Sequence, residues 1–219
     1  MQVRAIPGAA ASLVVACFDS ADTQFAGLRK ALAEMARAGG FAVREWSGGP
    51  LALARARSVR SVILCGHGSP ERAGLGDGCG LSLAPADIRL RGHTRLYLLG
   101  CHQGREDTRL QWARGTGVPE KLVRGAEGET ETLLSTLFLL HCADKGIGGI
   151  EESFDGWVLS NRLIRPRFEE ARALYARTGG DPLAVLDFLE RALDLASVGP
   201  FLALARRRPE FLTGLVPRQ

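Results

Sequence analysis

Ser61-Val62-Ile63-Leu64-Cys65-Gly66-His67-Gly68 is an apolar run that stops at a histidine and a glycine. The continuous apolar character from Val59 to Cys65 suits a strand buried on both faces of a sheet. A second run, Arg95-Leu96-Tyr97-Leu98-Leu99, stops in the same way at Cys101-His102. If both are parallel strands of one sheet, their carboxyl ends share an edge, which is where open α/β sheets bind ligands and do chemistry. An imidazole and a thiol then face each other across a cleft.

That pair has a chemical use. The thiolate is the nucleophilic form of cysteine, and a side chain with a pKa of about 8.5 is mostly protonated near neutrality unless a base or a positive charge stands beside it. His67 and Cys101 are the candidates for base and nucleophile. Gly68 lets the backbone approach a substrate closely and can offer its N–H, and the Cys101 N–H at the strand-to-loop turn supplies a second donor for a developing oxyanion.

Working outward, Ala11 to Phe18 reads as a first buried strand, and Asp19-Ser20-Ala21-Asp22 as a helix entry. Phe25, Leu28, Leu32, Met35 and Ala36 recur at helical spacing until Gly39-Gly40 stops the helix. Phe41 to Trp46 suits a shorter, peripheral strand, and a brief helix from Leu51 to Arg57 leads into the Val59 run. Strand, helix, strand, helix, strand is the pattern of a parallel sheet with right-handed crossovers. Gly74, Gly76, Gly78 and Gly80 mark a loop or tight hairpin, and no lysine follows them as a phosphate-binding loop requires. Leu96 to Gly100 is a fourth core strand, and Gly104 to Gly117 a polar loop with a short helix over the cleft.

Thr130 to Ala143 is apolar at helical spacing and predicts a buried helix ending before Gly146. Beyond Gly156 the pattern is helical in Pro166–Arg177, Pro182–Ala196 and Phe201–Arg208, punctuated by Gly179-Gly180 and Gly199-Pro200. The expected organisation is an α/β catalytic domain over residues 1–150, with a helical C-terminal extension over 151–219 packed on the same domain.

The 219 residues are 46% hydrophobic and 24% charged, enough apolar material for one continuous core. A net charge of +4 comes from arginines scattered along the chain, with no basic stripe alternating with aromatics, so nucleic acid is not indicated. Arg206-Arg207-Arg208 suits the solvated last turn of a helix, where the macrodipole favours cations. Five cysteines without framework spacing fit reduced thiols in a cytoplasmic protein. The N-terminal stretch lacks a signal-peptide cleavage pattern, and no run reaches the ~18 apolar residues of a membrane span.

The segment Val62-Ile63-Leu64-Cys65-Gly66-His67-Gly68, followed by Leu98-Leu99-Gly100-Cys101-His102-Gln103-Gly104 with Cys101 34 residues after His67, resembles the caspase-like cysteine peptidases. That superfamily includes caspases, metacaspases, gingipains, separases, legumains and the bacterial domains shared by caspases and tetratricopeptide proteins. The resemblance covers roughly residues 11 to 145. Cys101-His102-Gln103-Gly104 is similar to the Cys-His-Ser-Gly stretch of metacaspases. It implies a three-layer sandwich with a mostly parallel central sheet, and hydrolysis of a protein or peptide substrate through an acyl-enzyme. Cys101 is then the nucleophile, His67 the group that protonates the leaving amine, and the Gly68 and Cys101 amides the oxyanion site, with no cofactor and no metal.

Many of these relatives carry a polar or acidic residue two positions before the cysteine, lining the pocket for the residue before the cut. Leu99 stands there in this chain. Acidic substrate-binding candidates for an arginine or lysine are instead Asp19, at the end of the first strand, and Glu127 and Glu129, with Glu131 beside them in Gly125-Ala126-Glu127-Gly128-Glu129-Thr130-Glu131. The competing roles are an N-cap for Asp19 and a dipole-stabilised first helical turn for the glutamates. Other readings of the strand ends are an inactive interaction module of the same fold, a zinc site from Cys65, His67, Cys101 and His102, and the strand-end histidine of tetrapyrrole metal chelatases, which Gly66-His67-Gly68-Ser69 resembles. The zinc spacing is unlike that of structural sites, and the chelatase reading leaves Cys101 unexplained.

Overall fold

The computed structural model describes residues 12–17, 25–46, 48, 59–78, 80–192 and 195–211. Asp19, the Leu51–Arg57 segment and Cys79 lie outside them. The fold is mixed α/β. The described residues fall into two compact units, one within 1–19 and 35–129, the other within 20–34 and 130–219.

The first unit carries a seven-stranded mixed sheet. Strand β1 (Ser12–Cys17) pairs in parallel with β2 (Phe41–Glu45) on one side and with β3 (Ser61–Gly68) on the other. β3 pairs in parallel with β6 (Arg95–Leu99), which pairs in parallel with β7 (Val123–Gly125). Between β3 and β6 in the chain, β4 (Leu75–Gly76) and β5 (Ser82–Leu83) form an antiparallel ribbon, hung on the end of β3 through His67 opposite Gly76 and Gly68 opposite Leu75.

Hydrophobic patterning explains why this ladder is buried. Leu13, Val62, Leu96 and Val123 form one row across four strands, and Val15, Leu64 and Leu98 form another. Both rows belong to one buried cluster with Leu75, Leu83, Ile88, Trp112 and Val118. The alternate residues Val14, Ile63 and Tyr97, then Ala16, Cys65 and Leu99, are also at most 3% exposed. A slip of one residue would exchange two apolar faces, so burial alone specifies register only weakly here. β2, with its intermediate burial, is the half-exposed edge the alternation predicts.

The Gly104–Gly117 stretch is mostly one helix, α2 (Glu106–Thr116), closed by Gly117 in the left-handed conformation with its N–H on the Ala113 carbonyl. Trp112 sits on the buried side of that helix. α1 (Ala26–Ala38) ends at Gly39 and Gly40, both at positive φ, where the glycine pair predicted a stop.

The second unit is helical: α3 (Thr132–Lys145), α4 (Ile150–Ile164), α5 (Phe168–Arg177), α6 (Pro182–Ala192) and α7 (Leu195–Arg207). α3 is buried on every side from Leu133 to Leu140, as a helical stretch apolar all round must be. Its Phe138 meets Phe154 edge-on at 5.9 Å, and Phe154 lies 5.1 Å from Trp157, an aromatic cluster that joins α3 to α4. α4 was not legible from the sequence pattern, because Gly156 interrupts it. The reason is steric: a Cβ there would stand 2.8 Å from the Phe201 ring of α7. α7 runs through Pro200 rather than starting after it, held continuous by the burial of Phe201, Leu202, Leu204 and Ala205. Arg206 in its last turn pairs with Asp187 at 2.6 Å and Glu190 at 2.7 Å on α6. No helix among the described residues is long and apolar enough to cross a membrane.

Candidate functional site

The carboxyl ends of β1, β3 and β6 lie side by side along one edge of the sheet, and the strand order reverses next to them, between β1 and β3, where open α/β sheets place a crevice. Four glycines let three backbones come together there. A Cβ at Gly66 would lie 3.0 Å from the Gly76 carbonyl oxygen and closer still to that of Cys17, and one at Gly100 would lie 2.8 Å from the Gly66 carbonyl oxygen. A Cβ at Gly68 would stand 2.7 Å from the Cys101 nitrogen and nearer yet to its carbonyl oxygen. One at Gly78 would stand 3.0 Å from His67 Cδ2 and 3.1 Å from Nε2. The ribbon tip therefore lies over the imidazole, and the backbone after His67 lies against the backbone of Cys101.

His67 is the penultimate residue of β3 rather than the first residue of a loop, because pairing with Gly76 extends the strand. The last pair of the β3–β6 ladder is Cys65 with Leu99. His67 and Cys101 each stand two residues beyond it. Both are half-buried, whereas Cys17, Cys65 and Cys142, the other described thiols, are buried. Burial pushes the Cys17 and Cys142 thiols up to about 12, so neither is a nucleophile near neutral pH.

Cys101 opens a turn, Cys101–Gly104, whose next residue, His102, takes a left-handed φ of 61°. That conformation is costly for a residue with a Cβ and persists where neighbours impose it. Here they do: the His102 N–H donates to the Gly128 carbonyl at 2.7 Å and the Gly104 N–H to the Ala126 carbonyl at 2.7 Å. The His102 Nδ1 faces the Glu127 carbonyl at 3.4 Å. Gly104 and Gly125 approach so closely that a Cβ at Gly125 would lie 2.7 Å from the Gly104 nitrogen.

Behind this turn, the side chain of Gln103 is wholly buried. Its Oε1 accepts from the Gly74 N–H at 3.1 Å and from Trp112 Nε1 at 2.8 Å. Its Nε2 faces the carbonyls of Cys101 at 3.2 Å, Ser69 at 3.4 Å and Arg72 at 3.5 Å. The sequence offered this residue only as part of the Cys101-His102-Gln103-Gly104 stretch and gave it no role of its own, since the partners of a buried amide are not local.

The acidic segment meets the site through its backbone. Glu127 and Glu129 are exposed and precede α3, which has no acidic residue in its first turn, so the helix dipole does not account for them. Glu127 shares with Arg105, Glu106, Asp107 and Leu110 the lining of an open hollow of about 550 Å³. Neither His67 nor Cys101 lines that hollow. Glu131 is engaged elsewhere: its carboxylate pairs with Arg172 at 3.2 Å and Arg165 at 3.9 Å, and its N–H donates to Asn161 Oδ1 at 2.8 Å. Asp19 lies outside the described residues. Among those described, no three His, Cys, Asp or Glu side chains converge as metal ligands.

Compared with known proteins, the chain matches no family model and no curated protein.

Proposed function

We propose that this chain is a caspase-like cysteine endopeptidase that cleaves a partner protein or peptide through an acyl-enzyme. The observation that carries the reading is the ladder register: His67, near the end of β3, and Cys101, in the turn that leaves β6, each stand two residues beyond the Cys65–Leu99 pair. Cys101, with His67 as its base, attacks the scissile carbonyl. His67 then passes the proton to the leaving amine, and water releases the acyl group by the reverse sequence. The Gly68 and Cys101 amides would carry the oxyanion. The five strands paired in parallel would be the central layer of a three-layer sandwich, and the protein would act in the cytoplasm. Glu127 and Glu129, exposed beside the Cys101 turn, favour a basic residue before the cut, with Asp19 as the third acidic candidate.

The deciding experiment is labelling with a peptidyl electrophilic ketone followed by mass mapping, beside a panel of fluorogenic peptides. The expected result is a single adduct on Cys101 and preferred turnover after arginine or lysine. An adduct elsewhere, or none, removes the peptidase reading; turnover as good after aspartate removes only the specificity.

A further inference from the structure

We propose that Gln103 is the positioning residue of the Cys101/His67 pair, its buried carboxamide locking the turn that presents Cys101 to the segment that leaves His67-Gly68. The inference rests on the peptidase reading above and adds to it a residue that touches no substrate.

Two N–H donors converge on Oε1 and use both of its lone pairs, while three carbonyl oxygens surround Nε2, which has two hydrogens to give. This arrangement leaves one orientation for the amide, with no acceptor capacity spare and every hydrogen engaged. The partners lie on three separate pieces of chain. Ser69, Arg72 and Gly74 belong to the segment that starts directly after Gly68, Trp112 is the buried face of α2, and Cys101 is the candidate nucleophile itself. A single side chain thus ties together the exits of β3 and β6.

The lever on the thiol is the Cys101 carbonyl. It belongs to the Cys101–His102 peptide, whose far side enters the left-handed φ of His102. The Gly128 carbonyl holds that peptide through the His102 N–H, and Gln103 holds it through the Cys101 oxygen. With the carboxamide gone, one of those two restraints is lost, and the turn can relax toward an ordinary φ, swinging the Cys101 side chain away from the end of β3. Displacement of a reacting group by ~1 Å can cost on the order of 100-fold in rate.

The test uses the full chain with Gln103→Glu and Gln103→Met, and Trp112→Phe as comparator. Gln103→Glu keeps the shape but turns an oxygen toward three carbonyls; Trp112→Phe removes a donor to Oε1 and leaves Nε2 with Cys101. For each protein, the rate of Cys101 alkylation by iodoacetamide is followed against pH, along with kcat, KM and melting temperature. The expected result is a ~10- to 100-fold fall in alkylation rate and kcat for both Gln103 variants with KM within about twofold, and a lower melting temperature with a rate within about threefold for Trp112→Phe. If Gln103→Met does not fold, Gln103→Glu decides alone: its alkylation rate relative to wild type at the same pH rises on acidification, as protonation restores one donor. Gln103 variants that alkylate at the wild-type rate, while His67→Ala still changes the wild-type profile, overturn the positioning role and leave the dyad standing. A Cys101 profile unchanged by His67→Ala overturns the dyad and the positioning role together.

Discussion

His67 and Cys101 lie the same two residues beyond the last pair of the β3–β6 ladder, Cys65 with Leu99. Parallel neighbours stand about 4.8 Å apart. The glycines at 66, 68 and 100 remove the Cβ atoms that would hold the two ends apart. His67 and the turn that begins at Cys101 thereby share one edge of the sheet.

Removing either member should separate chemistry from folding. Cys101→Ala is expected to abolish peptide cleavage, and His67→Ala to lower kcat by roughly 10²- to 10⁴-fold, the span of a general acid–base contribution. Both side chains are only half-buried, so circular dichroism and melting temperature should change little. Cleavage retained by Cys101→Ala would contradict the assignment.

Thiol chemistry should single out one of the described cysteines. Burial disfavours the charged thiolate, and with Cys17 and Cys142 near 12 only on the order of one molecule in 10⁴ is ionised at pH 8. Iodoacetamide at that pH should modify Cys101 in the native protein and reach Cys17, Cys65 and Cys142 only in denaturant, as read by peptide mass mapping. Native modification of Cys17 or Cys142 before Cys101 would count against the burial that sets their ionisation.

Gly68 is a steric requirement. In Gly68→Ala the new methyl would meet the Cys101 backbone nitrogen at 2.7 Å, an atom that cannot rotate away. The expected cost is about 1–3 kcal/mol in denaturant unfolding, the range of overpacked cores, together with loss of cleavage. In Gly128→Ala the new methyl would have no neighbour within 4 Å, so stability should stay near wild type, and this variant serves as the control.

Glu131 should impose a pH dependence on the helical unit. Desolvation raises its carboxyl above the usual carboxylate range, against the attraction of Arg172, which lowers it. A raised pKa in the folded state means that stability from this group is fully present below the unfolded value and is lost as pH rises through the folded one. Wild type should therefore lose some stability as the pH climbs past ordinary carboxylate titration, and Glu131→Gln should not. Arg172→Ala should steepen the loss, because only the raising influences of burial and Glu169 remain. Parallel urea titrations across the acid range check the sign.

Local pattern carried much of the fold. The buried strands at Ser12–Cys17 and Arg95–Leu99, the body of Ser61–Gly68 and the apolar helix from Thr132 follow from runs or periods read along the chain, whereas the glycines from 74 to 80 left a loop and a hairpin both open. Where pattern failed, a distant neighbour was the cause. Val123–Gly125 is too short to show a period and is a strand because β6 offers it an edge. α4 contains a glycine because Phe201, 45 residues later, needs the space.

The site divides along the same line. That a histidine and a cysteine each close an apolar run is a property of sequence, since burial of a strand's body leaves its polar residues at the end. The shared register, the left-handed turn at His102, the backbone contact of Gly68 with Cys101 and the five-way bonding of Gln103 arise only in the folded chain. Each includes at least one contact between atoms 25 or more residues apart, and a buried amide acquires its role from the donors and acceptors that surround it, which no local spacing records.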